Sequence, residues 1–560
     1  MDKQTARSTA KWKLWLVGGA IVGGGALTIS AGDSFFEISK NLEIFTELYK
    51  ELNIYYVDDT QPGKLMKTGI DAMLNSLDPY TQYIPESDME DYRFMTTGQY
   101  GGIGALIKRQ DDHVLVSEPY EGYPAMKAGI WAGDEIVEVD GRKIAGMETD
   151  EVSKLLKGQA GSTVNIVTKR GDAAPTTHAL TREEIKIPDV PYKGMIDSVG
   201  MVGYIKLNSF TQTAGQEVRN AMKELKDQGA KKMVLDLRGN GGGLLREAVN
   251  IVNLFVPKNQ LVVETKGRIP EWDKTYNTLS EPLDATIPLA VLVDGGSASA
   301  SEIVSGALQD LDRGVIIGER SYGKGLVQQT RDLYYNSKLK VTVAKYYIPS
   351  GRCIQKLDYA SRDSSGKVAE VKEEAIAEFK TRNGRPVFDG RGILPDIEVT
   401  DPELAKVVGG LYSEDLFFDF ATRYRSEHAD IGPAERFTIS DALYQEFTDY
   451  VKDKKFEYDT ETMEAFKALE EKAKKERYYD HAKAQLEALH AELAPDRTEE
   501  LTRFRSDIEE VLKSEIVARY HYQTGRAKAS LVTDPYIKES IAVLNGPRYN
   551  EVLTTVKPGK

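Results

Sequence analysis

Histidine is absent from the middle of this chain. Its 560 residues include six histidines, His113, His178, His428, His481, His490 and His521, so none falls between 179 and 427. A Ser-His-Asp triad assembled within that stretch would have no base. Cysteine is scarcer still. Cys353 stands alone, which excludes an intramolecular disulfide, a cysteine-rich zinc site and a CxxC redox pair. It also leaves the apolar N-terminal segment without a cysteine for lipid attachment. Positive charge is in deficit: 73 Lys and Arg face 87 Asp and Glu, for a net charge of −14 and an isoelectric point of about 5.2. Nucleic-acid binding calls for a basic stripe, so that class is excluded. There is no internal repeat and no extended low-complexity tract.

What is present divides the chain, which is too long for one core. Leu14 to Ala31 is apolar and follows Lys3, Arg7, Lys11 and Lys13. A basic flank before an apolar run is an export signal. The A-x-A-like cleavage positions are weak, so residues 1–32 read as a membrane anchor rather than a cleaved signal peptide. The basic flank would stay in the cytoplasm and residues from 33 onward would lie outside it. Residues 33–97 read as helical, with a stripe of Phe36, Ile38, Leu42, Ile44, Phe45 and Leu48. Residues 98–187 are glycine-rich and strand-like, with an Asp140-Gly141 turn and a helix over 149–156. Residues 188–400 alternate strands (201–207, 232–237, 288–293, 314–317, 340–346) with helices (213–228, 243–255, 300–311), the pattern of a sheet covered by helices. Residues 401–560 are charged, glycine-poor and helix-periodic. The fold class is therefore α/β multi-domain.

The informative pairing lies in the histidine-free stretch. Gly295-Gly296-Ser297-Ala298-Ser299-Ala300-Ser301-Glu302-Ile303 follows a predicted buried strand and opens a predicted helix. A serine there is exposed above the sheet edge, and the N–H groups at the helix start, beginning with Ala300, suit a developing negative charge. Ser297, Ser299 and Ser301 all qualify, and all three equally suit helix caps. Lys324 stands between Gly323 and Gly325, where another backbone can approach closely. Beside a buried sheet edge its ammonium is poorly solvated, which favours the neutral amine that a general base requires. Gln328, four residues on, can orient it. Asp236-Leu237-Arg238-Gly239-Asn240-Gly241-Gly242-Gly243 offers bare N–H groups as the second half of an oxyanion site. Gly318 to Lys324 matches the spacing of a phosphate-binding loop, but Gly325 stands where that loop needs Ser or Thr.

Together these residues resemble the carboxy-terminal processing peptidases, Ser-Lys serine endopeptidases with an inserted PDZ domain. The resemblance spans roughly residues 35–400. It includes Leu77-Asp78-Pro79-Tyr80, Gly101-Gly102-Ile103-Gly104, Asp236–Gly243, Gly296–Ile303 and Gly323-Lys324-Gly325. It continues through Pro349-Ser350-Gly351-Arg352 and Gly392-Ile393-Leu394-Pro395-Asp396. The resemblance selects Ser299 as nucleophile, Lys324 as base and Gln328 as its orienting partner. It puts the oxyanion donors on Ala300 and Gly242 or Gly243. It implies a PDZ domain, β-rich with two helices, over 98–187, and an α/β core of the ClpP/crotonase-like type over 188–400. Gly102, Ile103, Gly104 and Ala105 would then hold a peptide's terminal carboxylate by β-augmentation.

The expected activity is exported, ATP-independent cleavage near protein C-termini, on substrates with extended apolar tails. No metal or cofactor is implied. The expected location is the periplasmic side of a bacterial inner membrane. An adaptor protein and a homo-oligomer are further expected partners. The competing reading is a non-catalytic PDZ scaffold. A β-lactam-type S-x-x-K enzyme is excluded by the spacing of Ser299 and Lys324.

Overall fold

A computed structural model describes residues 35–554 except 363–365, 402, 459 and 494–496. The expected anchor at 14–31 lies outside these residues. Among the described residues no helix is long and apolar enough to cross a membrane.

The chain forms two compact units, one ending at Tyr83. The first contains helix α1 over 35–55 and α2 (Pro62–Asn75). The helical stripe expected from sequence is present on α1, with Phe36, Leu42 and Leu48 all exposed. After α2 the Leu77-Asp78-Pro79-Tyr80 turn is closed by Asp78, whose Oδ1 accepts the N–H groups of Tyr80 and Thr81 at 2.8 Å each. An Asp before Pro builds such a turn from its own side chain.

The second unit begins with α3 (Met89–Thr97), which ends on Gly98 at φ 68°. Strand β1 (Gln99–Gly102) follows, then a five-stranded meander of β2 (Ala105–Gln110), β3 (His113–Pro119), β4 (Glu135–Val139), β5 (Thr163–Lys169) and β6 (Thr176–Thr181). Strand β7 (Glu183–Lys186) returns to pair with β1. Asp140 and Gly141, at φ 47° and 81°, make the tight reversal after β4, as an Asp-Gly pair between alternating apolar residues should. Helix α4 (Thr149–Leu156) buries Val152 and Leu156 against Ile103, Val116 and Ile166.

The central α/β layer is built on β8 (Tyr192–Asp197), β9 (Val202–Lys206) and β10 (Lys232–Asp236). A second sheet uses β11 (Leu261–Gly267) and β12 (Lys274–Asn277). The remaining strands are β13 (Leu289–Val293), β14 (Val315–Gly318), β15 (Leu326–Asp332), β16 (Lys338–Tyr347) and β17 (Ile397–Glu398). The main sheet runs β8-β9-β10-β13-β14-β17, parallel from β9 onward. The second contains β12-β11-β16-β15. Helices α5 (Ala214–Asp227), α6 (Leu245–Val252) and α7 (Ala300–Asp310) cover one face of the main sheet. Strand β13 reads Leu-Ala-Val-Leu-Val because both of its faces are buried. Leu289, Val291 and Val293 join the helix-covered core, while Ala290 and Leu292 face the other way.

That other face is covered from the far end of the chain. Beyond α8 (Lys406–Ser413), α9 (Leu416–Glu427), α10 (Asp441–Lys452), α11 (Glu461–Lys475), α12 (Tyr479–Leu493) and α13 (Arg505–Ser530), which is kinked at Tyr522, come α14 (Pro535–Asn545) and α15 (Arg548–Thr554). Tyr536, Ile537, Val543 and Leu544 of α14 pack on Tyr204, Val234, Ala290 and Leu292. The described part of residues 401–554 is thus mainly helical as expected, yet it serves two cores. Helices α8–α10 and α13 enclose Phe417, Phe420, Phe447, Ile508 and Leu512, whereas α14 completes the α/β layer. The helical domain also grips the small β-domain. Lys108 of β2 pairs with Asp415 at 2.7 Å, its Nζ 3.4 Å above the Phe418 ring, and Arg526 of α13 reaches Glu118 of β3 at 3.3 Å.

Candidate active site

Three serines follow β13, and the fold spends two of them. Ser297 Oγ donates to Leu237 O at 2.9 Å and Ser301 Oγ donates to Asn240 O at 2.8 Å, both fully buried. Ser299 is half-buried and sits at the turn itself, at φ 55° and ψ −108°. A non-glycine residue in that region is strained, and such strain collects where a strand-to-helix turn must present one side chain.

Glu302 holds the turn in place. It is fully buried, three residues after Ser299, and its carboxylate accepts four hydrogen bonds. Oε2 takes the Ser299 N–H at 2.8 Å and the Lys324 N–H at 2.9 Å. Oε1 takes the Ser321 hydroxyl at 2.6 Å and the Gly323 N–H at 2.7 Å. Burial pushes this carboxyl above the ordinary glutamate range, and the four donors oppose that shift. One buried side chain therefore ties the backbone of Ser299 to the backbone of Lys324. The Gly392-Ile393 motif backs the same loop, with Ile393 N–H donating to Ser321 Oγ at 2.7 Å. A Cβ at Gly392 would lie 2.7 Å from Ser321 O.

The glycine run approaches from the other side. Asn240 O accepts the Ala298 N–H at 3.0 Å, and its buried amide reaches Leu207 O at 2.8 Å. A Cβ at Gly242 would stand 2.9 Å from Ser299 Cβ and 3.0 Å from Ala300 N, so only glycine lets these backbones meet. The Gly242 N–H, however, donates to Asn240 Oδ1 at 2.9 Å. It is not the free donor that the sequence suggested. The bridge between Phe210 and Gly243 uses the N–H groups of Phe210 and Leu244, which leaves the Gly243 N–H unspent by that bridge. At the head of α7, the N–H groups of Ser301, Glu302 and Ile303 turn back onto Ala298 and Ser299. Ala300 is the residue before them.

Gln328 lies on β15 opposite Thr342, its amide donating to the threonine hydroxyl at 3.1 Å. An irregularity between Val327 and Gln328 re-aims the strand at this point. Tyr346, buried and shifted well above the usual tyrosine range by that burial, donates its hydroxyl to Ser299 O at 3.2 Å. Arg352 of the Pro349–Arg352 motif grips the far end of α7 through Gln309 Oε1 at 2.8 Å and Asp310 Oδ1 at 2.9 Å.

Arg238 is structural. It joins Asp236 at 2.7 Å and the α14 cap residue Asp534 at 2.7 Å. Burial alone would raise the Asp236 carboxyl; Lys206, Arg238 and the Tyr204 hydroxyl hold it at about 2. Because this folded-state value lies below the ordinary 3.8, the stabilisation is complete above pH ~4 and is lost as pH falls through about 2. At roughly 1.4 kcal/mol per unit it amounts to about 2 kcal/mol. Urea midpoints measured from pH 5 to pH 2 should fall less steeply in Asp236→Asn than in the wild type. Equal slopes would show that Asp236 carries no such linkage.

In the β-domain, Gly102 ends β1, Ile103 is buried, and Ala105 opens β2 at an edge of the sheet. The carbonyls of Ile103 and Gly104 accept N–H groups from Ala125 and Tyr120 at 2.9 Å each. Glu302, Asn240 and Tyr346 were not singled out from sequence. Only Glu302 had a local signal, the S-x-x-E spacing of Ser299 to Glu302 that marks a helix start.

Residues 201–360 match peptidase family S41, residues 115–170 a PDZ domain, and residues 407–544 the C-terminal helical domain of PDZ-proteases. A Bartonella bacilliformis carboxy-terminal-processing protease is 36% identical over 321 residues, covering 56% of this chain and 73% of that protein. A Staphylococcus aureus protein described as a probable CtpA-like serine protease is 38% identical over 317 residues. That match spans 56% of this chain and only 62% of the length of the S. aureus relative. Among solved structures, a photosystem II D1 C-terminal processing protease is 31% identical, covering 64% of this chain and 93% of that one, with a TM-score of 0.35.

Proposed function

Because the chain belongs to peptidase family S41, with its carboxy-terminal-processing relatives, we propose that it is a serine endopeptidase cleaving proteins near their C-termini through Ser299 and Lys324. The observation that carries this reading is the shared hydrogen bonding of the Ser299 and Lys324 N–H groups to one Glu302 oxygen. Two residues 25 apart in sequence are thereby fixed side by side.

The mechanism follows from those positions. Lys324, as the neutral amine, removes the Ser299 proton while Oγ attacks the substrate carbonyl. The oxygen of the tetrahedral intermediate takes hydrogen bonds from the Ala300 N–H at the head of α7 and from the Gly243 N–H. Lys324 then gives its proton to the departing amine, leaving an acyl ester on Ser299. Water enters, loses a proton to Lys324 and releases the acid. Gln328 orients the lysine, as the spacing of the two residues suggests. The substrate tail lies along the β2 edge beside α4, its terminal carboxylate at Gly102–Ala105. Placement outside the cytoplasm, through residues 14–31, belongs to the same proposal.

A fluorophosphonate probe tests the nucleophile. Intact-mass and peptide analysis of the labelled full chain should locate a single adduct on Ser299, formed faster as pH rises and the base loses its proton. Labelling of another serine, or none in a protein that cleaves an unfolded substrate, would refute the assignment.

A further inference from the structure

Lys340 of β16 lies directly opposite Thr330 of β15, two residues from Thr342, the partner of Gln328. Pairing is regular from Gln328↔Thr342 through Gln329↔Val341 to Thr330↔Lys340. Side chains alternate along a strand, so Lys340 and Gln328 leave the same face of the hairpin. At about 3.4 Å per residue they stand one cross-strand step, about 7 Å, apart. The next pair along that face, Asp332 and Lys338, neutralises itself. Across from Lys340 on β15 stands a threonine, Thr330.

This lysine is half-buried, and no ion pair among the described residues includes it. Burial, with no carboxylate beside it, pushes its ammonium below the usual lysine range. A partly desolvated cation without a counter-charge costs stability, and an apolar side chain of the same length would fit the strand at less cost. Elsewhere on the hairpin the chain does supply an acid, at Asp332.

We infer that Lys340 is a carboxylate subsite of the peptide-binding cleft, receiving an acidic side chain of the substrate or the terminal carboxylate of a peptide too short to reach Gly102–Ala105. Its separation from Gln328 corresponds to about two residues of extended chain. The subsite rests on the proposed Ser299–Lys324–Gln328 site and adds to it a preference about substrate charge.

Two matched peptide sets test it with the full chain. One carries Glu or Gln at each of three positions on either side of the cut. The other ends shortly after the cut in a free carboxylate or an amide. At one position, or at the terminus, the acidic member should be cleaved with kcat/KM about tenfold or more above its neutral twin, the size of one charge-assisted hydrogen bond. Which set shows the ratio identifies the source of the carboxylate. Lys340→Met should bring the ratio to about one while the neutral peptides stay within about threefold, and Lys340→Arg should retain most of it. Lys340→Met should also melt no lower than the wild type, since it removes an unpaired, half-buried charge. A ratio that survives Lys340→Met, the absence of any acidic preference, or a lowered Tm in Lys340→Met would each overturn the subsite. Cleavage of the neutral peptides by Ser299→Ala would instead overturn the catalytic reading, whatever the charge ratio.

Discussion

Lys324→Ala and Ser299→Ala are each expected to lower kcat/KM on an unfolded substrate by at least about 1,000-fold, and the double substitution to lower it no further than the worse single one. Groups that act on the same proton fail together, so their effects do not add. The lysine is the more discriminating of the two. If Lys324 only held a loop, Lys324→Arg would keep its charge and reach, and with them much of the activity. A guanidinium does not deprotonate in this range, so a general-base role predicts that Lys324→Arg is as inactive as Lys324→Ala. The check is a stopped-time cleavage assay on all four variants, each shown by circular dichroism and melting to be folded. Multiplicative losses in the double variant, or an active Lys324→Arg, would remove Lys324 from the chemistry.

Glu302→Gln should be nearly as damaging, for a different reason. The carboxylate accepts four hydrogen bonds from donors that are fixed in place: three backbone N–H groups and the Ser321 hydroxyl. A glutamine keeps the size but turns an NH2 group toward two of those donors. Buried donors left without an acceptor cost about 1–3 kcal/mol each, so a total of about 3 kcal/mol is expected, with a Tm lower by roughly 5 °C. Activity should fall by about 1,000-fold even at temperatures where the variant is fully folded, because the turn and the lysine loop lose their common anchor. Glu302→Asp keeps the charge on a shorter stem and should fall between the two. A Glu302→Gln protein with wild-type Tm and rate would mean that the four contacts are incidental.

The elements that surround this site were readable because local pattern and burial agreed. The continuous apolar run at Leu289–Val293 and the Gly-Gly-Ser-Ala-Ser segment after it mark a buried strand ending in an exposed turn, and the structure has both. The Asp140-Gly141 reversal and the helix over Thr149–Leu156 were equally local. What the sequence hid was long-range. Strand β15, which carries Gln328, reads Leu-Val-Gln-Gln-Thr-Arg-Asp with no alternation to mark it, and its register depends on pairing with β16. Asn240 gains its meaning only when β10 and β13 lie side by side, which brings Ala298 within reach of its carbonyl. The Gly242 N–H appeared free in sequence because the acceptor is the side chain of Asn240, two residues back, and only the folded turn brings the two together.

The way α14 closes the main sheet bears on the order in which this protein is made. Strand β9 leaves the ribosome on the order of 300 residues before the helix that covers Tyr204, and β10 and β13 wait nearly as long for Tyr536 and Leu544. At synthesis rates of roughly 5–20 residues per second, that face of the sheet stays uncovered for tens of seconds or so. The Ser299 turn can form on its own side of the sheet during this interval, but Arg238 has no Asp534 to hold until the end. A nascent chain would thus carry an unpaired Arg238 and an apolar surface together, and both would be resolved by one late docking event. Chains cut short before residue 535 would keep that surface, making them substrates for the cell's own quality control.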